Sequence, residues 1–285
     1  MYTIAILIGI LEGLTEFVPV SSTGHMIIAG HILGFTGQTA DSFEIFIQLG
    51  AILAVVGVYY KTFLNLIPSK TKEHQRSGST EALGFQALGR QAVGFQGIRG
   101  MGLLALTTFP ALVAGKIAHD FIKEHLFSPQ TVAIGLAVGG LGLILIELFK
   151  PKATVTDINS ITWREALTIG LFQCLALWPG MSRSGSTIIG GMLLKIDRKT
   201  TAQYSFIAAV PIMFAATFYD LFKSRHFLHL SDAPIFALGF VVAFISAWFA
   251  IRYFIKFVAN HSLQGFGWYR IALAVFTWWF FSRPL

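Results

Sequence analysis

The stretch Glu12-Gly-Leu-Thr-Glu16-Phe-Val-Pro19-Val-Ser21-Ser22-Thr23-Gly24-His25 decides the fold, because it is polar and broken where its flanks are apolar. Ile4-Ala-Ile-Leu-Ile-Gly-Ile-Leu11 precedes it and Met26-Ile-Ile-Ala29 follows. A helix needs about 20 apolar residues to cross a bilayer. Neither Tyr2 to Val18 nor Met26 to Phe35 reaches that length, and Pro19 with the Ser/Thr/Gly cluster separates them. The pair therefore reads as a re-entrant helical hairpin. A second pair, Ala166 to Trp178 and Ile188 to Leu194, is joined by Pro179-Gly-Met-Ser182-Arg183-Ser184-Gly185.

The two hairpins read as copies. A shift of 161 residues lays Gly9-Ile-Leu-Glu12 on Gly170-Leu-Phe-Gln173 and Ser21-Ser-Thr-Gly24 on Ser182-Arg-Ser-Gly185. It also brings Ile27-Ile28 onto Ile188-Ile189 and Phe43 onto Tyr204. The expected organisation is one membrane domain, 1–285, made of pseudo-repeats 1–152 and 153–285. Six further apolar runs, starting at Phe43, Gly102, Val132, Tyr204, Ile235 and Trp268, read as spanning helices. The expected fold class is an all-α polytopic membrane protein with six spanning helices and two re-entrant helical hairpins. A hairpin returns to its own side and three spans cross, so the second half enters from the opposite face. That is an inverted-topology repeat, in which broken helices meet near the midplane and line the site.

Composition agrees with a membrane protein. Of 285 residues, 54% are hydrophobic and only 12% charged, half the charged share of a usual soluble domain. The net charge of +7 would suggest nucleic acid in a soluble protein, but here the basic residues lie between apolar runs and set orientation. Fourteen Lys and Arg fall on the side holding 61–99, 150–164, 195–199 and 252–256, and five on the side of the N-terminus. The richer side is expected in the cytoplasm, with both termini outside. Met1 to Ile10 is apolar but lacks a basic leader region and a clean small-residue cleavage site, and is expected to be part of the mature protein. Cys174 is the single cysteine, which excludes an intrachain disulfide and a thiolate metal cluster. Gln75 to Gly100 reads as a cytoplasmic loop or surface-lying piece, and Trp278-Trp279 as an interface belt.

Glu12 and Glu16, four apart, share one helix face in this apolar setting. One carboxylate at bilayer depth costs about 2.5–3.5 kcal/mol, and two repel, so the pair must share a proton or a cation. A hard cation such as Mg²⁺ suits carboxylate and phosphate oxygens. A buried structural pair is the alternative. Ser21, Ser22, Thr23 and Gly24 at a helix start form either an anion cradle or an ordinary N-cap, with His25 one turn from Ser22. Ser182, Arg183, Ser184, Gly185 and Thr187 repeat that pattern around a guanidinium, which would grip phosphate or pair with Glu12 or Glu16. Glu44 and Gln48 share a face of the next helix, either as outer partners of the site or simply as a helix entrance, and Gln173 stands where the first repeat has Glu12. Arg270 is expected to snorkel, and Glu147, Asp157, Asp197 and Arg198 to be solvated. Two acids, serines, one His and one Arg together suit phosphoryl chemistry.

These same strings, Glu12 to His25 and Pro179 to Thr187, with Asp41-Ser-Phe-Glu44-Ile-Phe-Ile-Gln48-Leu-Gly50, resemble the bacterial undecaprenyl-diphosphate phosphatase (BacA) family over nearly the whole chain. Gln75 to Gly100 departs from that pattern. The resemblance implies hydrolysis of undecaprenyl diphosphate to the monophosphate at the extracytoplasmic face of the bacterial plasma membrane. It also implies carrier-lipid recycling for the cell wall and bacitracin resistance. Glu12 and Glu16 would hold Mg²⁺ or Ca²⁺ or assist the base, His25 would be an acid/base partner, and Arg183 the phosphate clamp. Ser22, His25 or water would attack phosphorus. Expected partners are the polyprenyl diphosphate, membrane lipid and a homodimer mate, and no nucleic acid. The rival is a transporter or flippase of an anionic lipid, since inverted repeats of broken helices also serve transport. A purely structural subunit would not need paired buried acids.

Overall fold

The computed structural model describes residues 1–68, 94–126, 128–149, 152–224 and 232–283. It is all-helical, and among the described residues the only strand-like pairing is an isolated bridge between Val155 and Ile196. Helices α1 (Tyr2–Thr15), α2 (Ser22–Ile32), α3 (Gln38–Val58) and α4 (Tyr60–Leu66) precede α5 (Gly97–His125) and α6 (Pro129–Phe149). They are followed by α7 (Trp163–Gln173), α8 (Arg183–Leu193), α9 (Arg198–Ser224), α10 (Ala233–Asn260) and α11 (Gln264–Phe281).

Five of these, α3, α5, α6, α9 and α10, carry stretches long and apolar enough to cross a membrane. At 1.5 Å per residue, the 21 residues of α3 reach roughly 32 Å, about a hydrocarbon core. The sixth expected span, α11, is 18 residues long and is not among the five. Its first turns carry Gln264, Tyr269 and Arg270, which lower its apolar character. Several spans start earlier than the apolar runs do, because polar first turns such as Gln38 to Asp41 join the helix. Most of 75–100 lies outside the described residues. Its end does not: Phe95 is buried against Leu66, Leu103 and Tyr204, and its N–H donates to Asn159 Oδ1 at 2.8 Å.

The short helices stop for local reasons. After α1 the chain turns through Pro19 and reaches Ser21 at φ 72°. After α7 a 3₁₀ turn, Cys174–Leu177, leads through Pro179 and Gly180 to Ser182 at φ 67°. A left-handed non-glycine residue costs of order 1–3 kcal/mol. Each serine offsets part of this by capping the next helix: Ser21 Oγ accepts from Gly24 N at 3.4 Å and Ser182 Oγ from Gly185 N at 3.1 Å.

Helix α1 packs along α10, which also lies against α3, while α6 pairs with α11 and α5 with α7. The close crossings use small residues, as lipid-embedded helices do. A Cβ on Gly13 would sit 2.5 Å from the Ala243 carbonyl oxygen and 2.6 Å from Ser246 Cβ. On the other side, a Cβ on Gly170 would sit 2.6 Å from the Thr107 carbonyl oxygen.

Two expectations are corrected here. Arg270 does not snorkel: it is fully buried. Its fork is spent on main-chain carbonyls, so reaching for the interface would leave them without donors. Glu147 is not solvated either. It lies buried near the end of α6, meets Arg198 Nε at 2.7 Å and Nη2 at 2.8 Å, and accepts from Leu263 N at 3.1 Å. The pair joins α6 to the start of α9 and caps the entry to α11. Asp197 caps α9, accepting from Lys199 N at 3.0 Å, and Asp157 caps the turn Ile158–Ser160.

Gly13→Leu is expected to force α1 away from α10, lowering stability by about 1–3 kcal/mol. Thermal unfolding of purified protein in detergent reads this as a lower Tm, and an unchanged Tm would contradict the crossing.

Candidate active site

Both breaks present their polar residues to one place. From the first, Glu12 and Glu16 come off the end of α1 and Ser22 and His25 off the start of α2, Glu12 being 1% exposed. From the second, Arg183 and Ser184 open α8. Ser22 Oγ donates to Glu16 Oε2 at 2.5 Å, and the other oxygen of the same carboxylate, Oε1, meets Arg183 Nη2 at 3.3 Å. Glu16 thus bridges a serine from its own break to an arginine from the other. Arg183 also donates to the Ser205 carbonyl at 3.1 Å, and its guanidinium lies over the Phe17 ring at 5.4 Å. Ser205 Oγ and Thr187 Oγ1 are 2.6 Å apart, and Ser184 Oγ donates across to the Val18 carbonyl at 3.2 Å.

Glu12 lies within electrostatic reach of Glu16, Glu44 and Arg183, and its Oε1 is buried with no hydrogen-bond partner. An orphaned carboxylate oxygen beside a second carboxylate is what a bound divalent cation would satisfy. Among the described residues no group of three or more His, Cys, Asp or Glu is arranged to hold a metal. A cation on Glu12 and Glu16 would therefore take further oxygens from its ligand.

Some expected residues have other duties. Ser21 and Ser182 are N-caps, so the backbone N–H groups of Gly24 and Gly185 are already engaged. Gln173 is buried and donates to the Thr107 carbonyl at 3.2 Å, tying α7 to α5. Glu44 approaches α2: its Oε1 would lie 3.7 Å from a Cβ on Gly30. Thr23 and Gln48 are half-buried near these elements and take no part in the chain of bonds through Glu16.

Two residues escaped the sequence reading, and a third, Arg270, was given another role. Ser205 follows Tyr204, which aligns with Phe43, and a serine in an apolar helix gave little signal. Tyr269 was not singled out, yet its hydroxyl lies 2.7 Å from His25 Nε2 and its ring stacks on the imidazole at 5.7 Å. Arg270 donates through Nη2 to the carbonyls of Gly180 and Met181, both at 2.9 Å, and of Gly135 at 3.3 Å. Through Nη1 it reaches the Pro19 carbonyl at 3.4 Å. One guanidinium thereby ties both breaks to α6 and α11. A charge in the middle of an apolar segment was the signal that could have marked it.

The fold and site define a polytopic helical membrane protein whose polar centre is assembled from two interrupted helices and carries a serine, a carboxylate pair and an arginine. The chain belongs to the family described as bacitracin resistance protein BacA, whose pattern matches residues 5–276. It is 51% identical over 282 residues to the undecaprenyl-diphosphatase of Maridesulfovibrio salexigens, covering 99% of each chain. It is 50% identical to that of Nitratidesulfovibrio vulgaris strain Hildenborough, covering 99% of this chain and 98% of the relative. To undecaprenyl-diphosphatase 1 of Bacillus cereus it is 46% identical over 275 residues, 95% of each.

Arg270→Met is expected to strand several buried carbonyls at about 1–3 kcal/mol each. Thermal unfolding in detergent should show a marked fall in Tm, with Arg270→Lys recovering only part. A wild-type Tm for Arg270→Met would contradict the tie.

Proposed function

We propose that this protein hydrolyses undecaprenyl diphosphate to undecaprenyl phosphate and inorganic phosphate, recycling the carrier lipid for cell-wall synthesis and giving bacitracin resistance. The observation that carries the mechanism is the run Ser22–Glu16–Arg183. Family membership and relatives named undecaprenyl-diphosphatase support the substrate. The terminal phosphate displaces Glu16 from Arg183, since a planar fork binds phosphate oxygens as well as carboxylate. Glu16 then loses its counter-ion as it becomes the proton acceptor. Ser22 Oγ attacks the terminal phosphorus, its proton passes to Glu16, and the bond to the bridging oxygen breaks, releasing undecaprenyl phosphate. Water then attacks the phosphoserine and gives a proton to Glu12, while the departing Ser22 oxygen takes back the proton held by Glu16; the proton on Glu12 leaves with inorganic phosphate. Arg183 neutralises charge on the transferring group. Glu12 and Glu16 would hold Mg²⁺ or Ca²⁺, which when bound supplies further neutralisation of the diphosphate.

His25 does not serve Ser22 as base in this arrangement. Its Nδ1 faces the Ser21 carbonyl at 2.7 Å and its Nε2 faces Tyr269. The transporter reading is less favoured, because a carrier needs charge compensation but no serine bonded to a carboxylate.

The proposed topology is six spans and two re-entrant hairpins in inverted repeats, with both termini outside and the site open to the extracytoplasmic face. Supporting it, adding 161 to Tyr2 and Ser22 gives Trp163 and Arg183, the first residues of α7 and α8. The left-handed caps Ser21 and Ser182 obey the same shift. Helices α1, α2, α7 and α8, at 11–14 residues, extend only roughly 16–21 Å.

Purified protein in detergent is expected to release phosphate from undecaprenyl or farnesyl diphosphate, and to lose that activity in EDTA. Ser22→Ala, Glu16→Gln and Arg183→Ala should each reduce kcat by on the order of 10²–10⁴-fold while remaining folded. Absence of release by folded wild-type protein with added Mg²⁺ or Ca²⁺ would turn the account toward transport.

A further inference from the structure

The imidazole of His25 is held at both nitrogens, and the partners fix which one carries the proton. The Ser21 carbonyl, 2.7 Å from Nδ1, can only accept, so Nδ1 is the N–H. In the neutral ring Nε2 is then an acceptor, and it receives the Tyr269 hydroxyl at 2.7 Å. The two rings lie nearly parallel, 12° apart, which leaves the hydroxyl little freedom to aim elsewhere. Ser21 is the strained residue of the first break, at φ 72°, and directly precedes Ser22. Its carbonyl is therefore held by a side chain whose other nitrogen is engaged from α11.

We propose that Tyr269 is a positioning residue of this active site. Its hydroxyl anchors the His25 ring at Nε2, and His25 in turn holds the Ser21 carbonyl so that Ser22 faces Glu16. The assignment rests on the phosphatase reading above for its catalytic consequence, but the Tyr269–His25 hydrogen bond does not. Without the hydroxyl, the imidazole is held at Nδ1 alone and gains freedom to turn about its terminal torsion. Its bond to the Ser21 carbonyl then loosens, and with it the left-handed backbone at Ser21.

Tyr269→Phe keeps the ring and its stacking and removes only the hydroxyl. With histidines labelled in ¹⁵N, and the His25 signals identified by their loss in His25→Gln, the wild-type protein should show Nδ1–H with Nε2 shifted by an accepted hydrogen bond, and Tyr269→Phe should lose that shift. On farnesyl diphosphate, Tyr269→Phe should lower kcat about 10-fold, the size of one hydrogen bond, with KM within about twofold. In a His25→Gln background the same change should cost nothing further, because Tyr269 acts through His25. An unchanged Nε2 signal in Tyr269→Phe would overturn the proposal, as would an undiminished loss in the His25→Gln background. Wild-type protein that folds but releases no phosphate would sink the phosphatase reading instead, and the ¹⁵N signals would still decide the role of Tyr269.

Discussion

Everything at the centre of this protein depends on one constraint: backbone that leaves a helix inside a lipid-covered protein must find its hydrogen bonds in protein. Two such departures lie around 16–21 and 174–182. Arg270 answers for both, giving its fork to carbonyls of Pro19, Gly180 and Met181 and to Gly135 of α6. A lysine could not cover four directions with one planar group. A Cβ on Gly139 would overlap the guanidinium, so α6 must be bare at the point where the arginine enters.

With the breaks held together, their side chains need no further device to meet. Glu16 ends one short helix and Arg183 starts another, so the ion pair at 3.3 Å joins the two halves of the chain at their most polar point. Ser22 enters the same carboxylate from the first turn of α2. The strain at Ser21 and Ser182 is the cost of turning the chain so sharply, and it aims both helix starts toward each other. Beside the Glu16 carboxylate, the buried Oε1 of Glu12 finds no hydrogen-bond partner.

Much of this was legible in the residues. Paired carboxylates, a serine cluster and an arginine in apolar segments stood out, and they fell on the elements now seen to meet. Periodicity gave the long helices but not their ends, since Gln38, Gly97 and Arg198 begin helices with polar or small residues that an apolar run does not reach. Arg270 and Glu147 were misplaced because a lone charge near an apolar segment usually reaches water. What overrode that habit was tertiary: four carbonyls around one residue, and Arg198 with a free helix start around the other. Tyr269 was hidden because tyrosine suits an interface as well as a site, and only its distance to His25 separates the two. The serines read as a phosphate cradle divide into caps, Ser21 and Ser182, and a reactive candidate, Ser22, a distinction carried by backbone φ rather than by residue type.

The central claim is that Glu16 primes Ser22 to attack phosphorus. Its most direct test is an acid quench within the first turnover on undecaprenyl diphosphate radiolabelled in the terminal phosphate, followed by peptide mapping. The account predicts phosphoserine at Ser22 in wild-type protein and none in Glu16→Gln. Turnover by wild-type protein with no label on Ser22, or with the label on His25, would contradict it.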